Sequence, residues 1–251
     1  MPGHWLLAKM GKRVLRPGGL ELTRAMLERL NIRPRDSVIE FAPGLGVTAR
    51  MTLQRRPATY TAVERDEAAA DKLRAFLREP RQRCLAGAAE NTGLPDQCGT
   101  VVYGEAMLTM QGPEQKRRIV AEAFRLLKSG GRYGIHELSL TPDELPEALK
   151  QGISRALSDS IHVGARPLTP REWRELLESE GFKVRVQAVA PMRLLEPRRL
   201  IRDEGFWRAL QFVFNVLRTP EARRRVFDMR RIFRRHRDSL AAITLVAVKP
   251  G

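Results

Sequence analysis

Glu40-Phe41-Ala42-Pro43-Gly44-Leu45-Gly46 is the stretch of this chain whose residue types and spacing could do chemistry. A β-rich run, Ser37 to Phe41, leads into it, and a helical pattern from Val47 to Gln54 leaves it. Small residues at such a turn let the backbone approach a ligand, and the helix N-terminus behind them faces it. By itself the turn is compatible with a dinucleotide, a nucleotide, a nucleoside or nothing more than a tight bend. Glu64 narrows the choice. It closes the next β-rich run, Tyr60 to Glu64, about twenty residues on, where a carboxylate can accept hydrogen bonds from both ribose hydroxyls. Nicotinamide sites share that feature. Glu40 adds a second carboxylate at the head of the turn, where negative charge suits an ammonium or sulfonium better than a pyrophosphate.

The elements that must hold these residues follow from periodicity. Short β-rich runs at Ser37–Phe41, Tyr60–Glu64, Arg83–Ala86, Thr100–Tyr103 and Arg132–Leu138 alternate with helical stretches, which is an α/β pattern. Glu67 to Leu77 is one such helix. Another opens at Pro113 with a stripe of Ile119, Val120, Ala123, Phe124 and Leu127 and ends at Gly130-Gly131. Beyond Leu138 the pattern predicts a helical insertion over Thr141–Ser158, a helix start at Thr169-Pro170-Arg171-Glu172 and two further strands, Lys183–Val189 and Leu240–Val248. About fifty Arg-rich helical residues separate these two strands, too long for an ordinary connection, and read as a cap.

Taken together, five segments in order resemble the class I S-adenosylmethionine-dependent methyltransferases, in the small-molecule branch labelled type 11 or ubiquinone-biosynthesis-like. The first motif is matched by Glu40, Ala42, Gly44 and Gly46, and the second-strand acid by Glu64. Gly87 to Pro95 is similar to the adenine segment, Val101 to Leu108 to the fourth-strand end, and Glu122 to Arg132 to the helix leading into the fifth strand. The resemblance implies a Rossmann-like, seven-stranded, mostly parallel sheet with an antiparallel last strand, plus helical cap insertions. It implies one domain over residues 1–251, with a cofactor-covering segment 1–36 and caps at 139–168 and 192–238. The cofactor would be S-adenosyl-L-methionine, leaving as S-adenosyl-L-homocysteine, held by Glu40, Ala42, Pro43, Gly44, Gly46, Glu64, Arg65, Ala89, Glu90, Glu105, Arg16 and Gly18. The family has Gly where Ala42 stands and an adenine-binding Asp near Ala88. Adenine is therefore expected to rest on backbone near Ala89 and on the planar guanidinium of Arg65.

A sulfonium methyl is already activated, so the protein has mainly to align a nucleophile and exclude water. Where a base is needed, position points to Glu105, His136 or His162. Trp5, Met107, Met110, Phe206 and Trp207 are the expected lining of an apolar acceptor pocket. The expected acceptor is a small hydrophobic or soft-nucleophile molecule: a thiol, amine, phenol, quinone or lipid.

Composition sets the outer bounds. The 251 residues are 43% hydrophobic, enough for a core, and carry no apolar run of membrane-spanning length. A cytoplasmic protein is expected. Cys84 and Cys98 form no CxxC pair, and His4, His136, His162 and His236 lack ligand spacing, so no metal is expected. The net charge of +16 rests largely on arginine, densest from Arg198 to Arg237. Solvated helix faces account for it most simply. Methylation of RNA or DNA is the alternative, and peripheral contact with an anionic membrane is compatible with the helices Gly205–Leu217 and Ala222–Arg237.

Overall fold

The computed structural model describes residues 1–77 and 79–251. In chain order these form α1 (Gly3–Lys9), α2 (Gly19–Leu30), β1 (Ser37–Phe41), α3 (Val47–Leu53), β2 (Thr59–Glu64), α4 (Glu67–Arg74), β3 (Gln82–Ala86) and β4 (Gly99–Glu105). There follow α5 (Pro113–Leu126), β5 (Leu127–Leu140), α6 (Glu147–Ile161), α7 (Pro170–Ser179), β6 (Lys183–Pro191), α8 (Pro197–Glu204), α9 (Phe206–Arg218), α10 (Pro220–Arg235) and β7 (Leu240–Val248). The seven strands make one sheet in the order β3-β2-β1-β4-β5-β7-β6. β1 to β5 are parallel, and β7 runs antiparallel between β5 and β6. The order reverses between β1 and β4, where open α/β sheets place their ligands beyond the strand carboxyl ends.

Alternation along the strands divides the core in two. Val38, Tyr60, Ala62, Val101 and Tyr103 face α2, α3 and α4, whereas Ile39, Val63, Val102 and Ile135 face α5 and α7. Trp173 of α7 is fully buried and its indole N–H donates to the Leu138 carbonyl at 3.1 Å. The start of α7 at Thr169 is a capping box with Glu172. A third core joins Leu6 and Leu7 of α1 to Leu157 of α6, Phe212 of α9 and Met229 and Phe233 of α10.

Two expectations shift. β5 begins at Leu127 instead of Arg132, because Leu127 pairs with Gly99 before a register irregularity and Gly130 donates to the Lys249 carbonyl. The insertion helix starts at Glu147, after Pro146, and not at Thr141. The amino-terminal segment is tied down by α8. Glu204 accepts from the backbone N–H groups of Arg13 and Val14 at 2.7 and 2.8 Å, Asp203 from that of Leu20 at 3.2 Å, and Arg199 donates to the Gly18 carbonyl at 2.6 Å. Among the described residues no helix is long and apolar enough to cross a membrane.

Candidate active site

A cavity of about 560 Å³ lies over the carboxyl ends of β1, β2 and β4, a size within the range of small-molecule sites. Its floor is the turn after β1, the ends of β2 and β3, and the residues following β4. Its roof is α1 with side chains from α6 and α10.

The turn is built from left-handed backbone. Gly44 and Gly46 have φ of +55° and +69°, which glycine adopts without penalty. A Cβ on Gly44 would meet nothing within 4 Å, whereas one on Gly46 would lie 2.7 Å from the Phe76 ring. Gly44 thus leaves room toward the cavity, and Gly46 lets α3 close on α4. Ala42 is also left-handed, at +49°, and so is Ala106 after β4, at +51°. Both line the cavity. Residues with a Cβ in that region cost about 1–2 kcal/mol each, and such strain collects at functional sites.

Glu64 is buried and accepts from the backbone N–H of Gly44 at 2.9 Å through one oxygen and of Asp66 at 3.0 Å through the other. Each oxygen keeps an acceptor position for a further donor. Glu40 lies deeper, its Oε2 accepting from the hydroxyls of Tyr60 and Tyr103 at 2.5 and 2.6 Å. Burial pushes its carboxyl up to about 7, although both phenols favour the anion.

Glu105 is the hub of the site. Thr23 donates to its Oε1 at 2.6 Å, His136 Nδ1 lies 2.8 Å from the same atom, and Arg16 and Thr48 donate to Oε2. Burial alone would raise this carboxyl. The charge of Arg16 and then the His136 hydrogen bond reverse that and hold it at about 2. His136 also reaches the Pro17 carbonyl through Nε2, so its ring links β5, β4 and the amino-terminal segment.

Glu40, Ala42, Pro43, Gly44, Glu64, Arg65, Ala89, Glu90, Glu105 and Arg16 all line the cavity, as do Trp5, Met107 and Met110. Gly46 and Gly18 do not. Gly46 caps α3 behind the turn, and Gly18 packs against Leu22 and Ala242, so its role is a bend before α2. Phe206 and Trp207 are exposed on the outer side of α9 and contribute nothing to the lining. The three expected bases fare no better. His136 is fully buried outside the cavity with both nitrogens facing acceptors. His162 caps α6 in a left-handed conformation and is exposed, while its neighbours Ile161 and Val163 line the cavity. Glu105 touches the cavity, but as a carboxylate saturated with donors and too weakly basic to take a proton.

Two residues escaped the sequence reading. His4 is the imidazole that lines the cavity; burial lowers it below its ordinary value, against the charge of Asp66. Nothing in the pattern around His4 distinguishes it. Glu137 accepts from the N–H groups of Met107, Leu108 and Thr109 at 2.9, 2.8 and 3.0 Å and from the Thr109 hydroxyl at 2.7 Å. It fixes the turn carrying Met107 and Met110. A carboxylate in the middle of a β-rich run was the available signal.

The family described as "Methyltransferase domain" matches residues 39–135. An uncharacterized protein of Haemophilus influenzae is 28% identical over 250 residues, covering 98% of this chain and 96% of its own. Among solved structures, Haemonchus contortus phosphoethanolamine N-methyltransferase 2 in complex with phosphomonomethylethanolamine and S-adenosylhomocysteine superposes with a TM-score of 0.74. It is 16% identical, over 99% of this chain and 58% of that one. The [4+2]-cyclase SpnF superposes with a TM-score of 0.69 at 15% identity, over 92% of this chain and 80% of its own. At these identities the structures establish the fold. Residues 39–135 thus make up a methyltransferase domain of the S-adenosylmethionine-dependent kind. Its cofactor is S-adenosylmethionine, and its second reactant a methyl acceptor.

Proposed function

We propose that the protein methylates a small, largely apolar acceptor bearing a soft nucleophile, seated between α1, α6, α10 and the turn after β4. The observation that carries this is the division of one continuous cavity. Carboxylates and left-handed backbone lie at the strand ends, and Trp5, Leu157, Ile161, Val163, Met229 and Phe233 line the roof.

The cofactor end suits the nucleoside. Glu64 has free acceptor positions for ribose, the space at Gly44 admits the ligand against the backbone, and Arg65, Ala89 and Glu90 border the adenine side. Arg16 and Glu105 border the amino-acid side. When bound, S-adenosylmethionine supplies a methyl group activated by its sulfonium. The chain's residues orient the two reactants and keep water out, which is where most of the rate enhancement is expected.

Acid-base help on this reading is confined to His4. The Thr109 hydroxyl donates to Glu137, and Gln111 Nε2 donates to the Met107 carbonyl at 3.1 Å. An acceptor that arrives nucleophilic, such as a thiolate or an electron-rich amine or phenolate, fits such a wall better than a carbanion precursor.

A radiolabelled-methyl assay over thiols, amines, phenols, quinones, phospholipids and RNA tests the proposal, with Val163→Trp and Leu157→Trp as cavity-filling variants. The expected result is transfer to an apolar small molecule or lipid that either variant suppresses while S-adenosylhomocysteine still binds. Transfer to RNA alone, indifferent to both variants, would overturn it.

A further inference from the structure

α9 is apolar on two adjoining faces. Ala209, Phe212 and Val216 enter the cap core, while Phe206, Trp207, Leu210, Val213, Phe214 and Leu217 remain exposed, from 42% for Val213 to 78% for Trp207. At 3.6 residues per turn the exposed six fall within an arc of roughly 120°, a stripe along the whole helix. Apolar side chains exposed singly are ordinary, but a contiguous stripe marks an interaction surface. The charge around it is one-sided. Between residues 192 and 238 stand fourteen arginines and no lysine against six carboxylates, of which Asp203 and Glu204 are buried. Arg202 is exposed just before α9, Arg218 is exposed at its end within about 20° of the stripe's edge, and the Arg218 guanidinium lies 5.9 Å from the Phe214 ring centre.

We propose that α9 is a peripheral docking helix for anionic lipid bilayers, lying in the interface with its stripe at the acyl boundary and the flanking arginines on headgroup phosphates. Positive charge alone would fit polynucleotide equally well. Leu210, Val213 and Leu217, however, offer a base neither a stacking face nor a hydrogen bond, whereas a bilayer takes up all six side chains. The position of the surface gives the contact a use. α10 packs along α9 and carries Met229 and Phe233 into the cavity, so docking brings the apolar end of the site toward the lipid phase.

Co-sedimentation of the full chain with vesicles of phosphatidylcholine, with and without phosphatidylglycerol, tests this, together with the emission of Trp207. Binding should be at least about tenfold tighter to the anionic vesicles and weaken with salt. It should shift tryptophan emission to the blue, a shift absent in Trp207→Phe. The double variant Leu210→Glu/Leu217→Glu should lose vesicle binding while keeping its melting temperature and its affinity for S-adenosylhomocysteine. Arg218→Glu should lose only part of the preference for anionic lipid. No association with either vesicle would overturn the proposal. So would a solution dimer that the Leu210→Glu/Leu217→Glu variant dissolves, or polynucleotide binding with vesicle binding absent.

Discussion

Glu105 Oε1 lies 2.8 Å from His136 Nδ1, and the two residues stand directly opposite each other on the paired strands β4 and β5. The carboxyl end of β4 is therefore joined to the inner part of β5 by a buried pair that Arg16 completes from the amino-terminal segment. Sequence position made both residues candidate bases, but their mutual contact gives them a positioning role.

Glu105→Gln should destabilise the protein by about 3–5 kcal/mol, the usual cost of breaking a buried charge pair by removing one partner. The carboxyl is depressed from 4.5 to about 2. Its contribution is thus complete above the unfolded-state value, near pH 4.5, and lost as the pH falls toward 2. Urea unfolding across that window should show a steeper acid loss in the wild type than in the variant. Parallel curves would exclude the assigned ion pair.

Glu40 behaves oppositely. Its carboxyl rises from 4.5 to about 7, so the folded protein holds an extra proton in between, and this stabilisation is present below pH 4.5 and disappears as the pH climbs through 7. A sulfonium nearby favours the anion. Binding of S-adenosylmethionine at pH 7 should release up to about half a proton, and binding of uncharged-sulfur S-adenosylhomocysteine distinctly less. Calorimetry in two buffers of different ionisation enthalpy measures the difference, which Glu40→Gln should abolish. Equal proton release with both ligands would count against a sulfonium near Glu40.

The two glycines of the turn should separate stability from binding. Gly46→Ala forces a Cβ into the Phe76 ring as well as straining a left-handed residue, and a loss of about 2–3 kcal/mol is expected. Gly44→Ala carries only the backbone strain, about 1 kcal/mol, because its Cβ meets no protein atom. That Cβ would intrude on the ligand instead, so the affinity for S-adenosylhomocysteine should fall further in Gly44→Ala than stability does. Thermal melts and titration calorimetry on both variants decide it, and the reverse ranking would misplace the ligand.

Glu64→Ala should weaken S-adenosylhomocysteine by about 1.5–3 kcal/mol, the value of hydrogen bonds to a charged acceptor. 2′-Deoxyadenosine-based homocysteine should show a smaller loss on the same substitution, since it lacks one ribose donor. An unchanged affinity in Glu64→Ala would remove Glu64 from the ribose site.

Much of the scaffold was legible because its signals are local. Short β-rich runs between turn signals marked β1 and β2 almost to the residue, Leu240–Val248 matched β7, and Pro-Gly-Leu-Gly announced the turn at the cavity floor. The side of the cavity proposed for the cofactor follows from those same strand ends. The proposed acceptor side did not follow. Trp5 and Met110 line it, yet Phe206 and Trp207, alike in kind, do not. An aromatic residue on an amphipathic helix carries no mark of which apolar face the cap will cover.

The sequence by itself determined the α/β alternation, the glycine turn at Pro43 to Gly46 and the acid at the end of β2, because each depends on a few adjacent residues. Only the tertiary structure decided the roles of the histidines. His136 meets Pro17 across 119 positions and is locked, His162 caps a helix and faces water, and His4 enters the cavity from a helix with no motif of its own. Contacts between segments so far apart in the chain arise only when three cores pack together, and no local pattern encodes which side chain that packing will enclose.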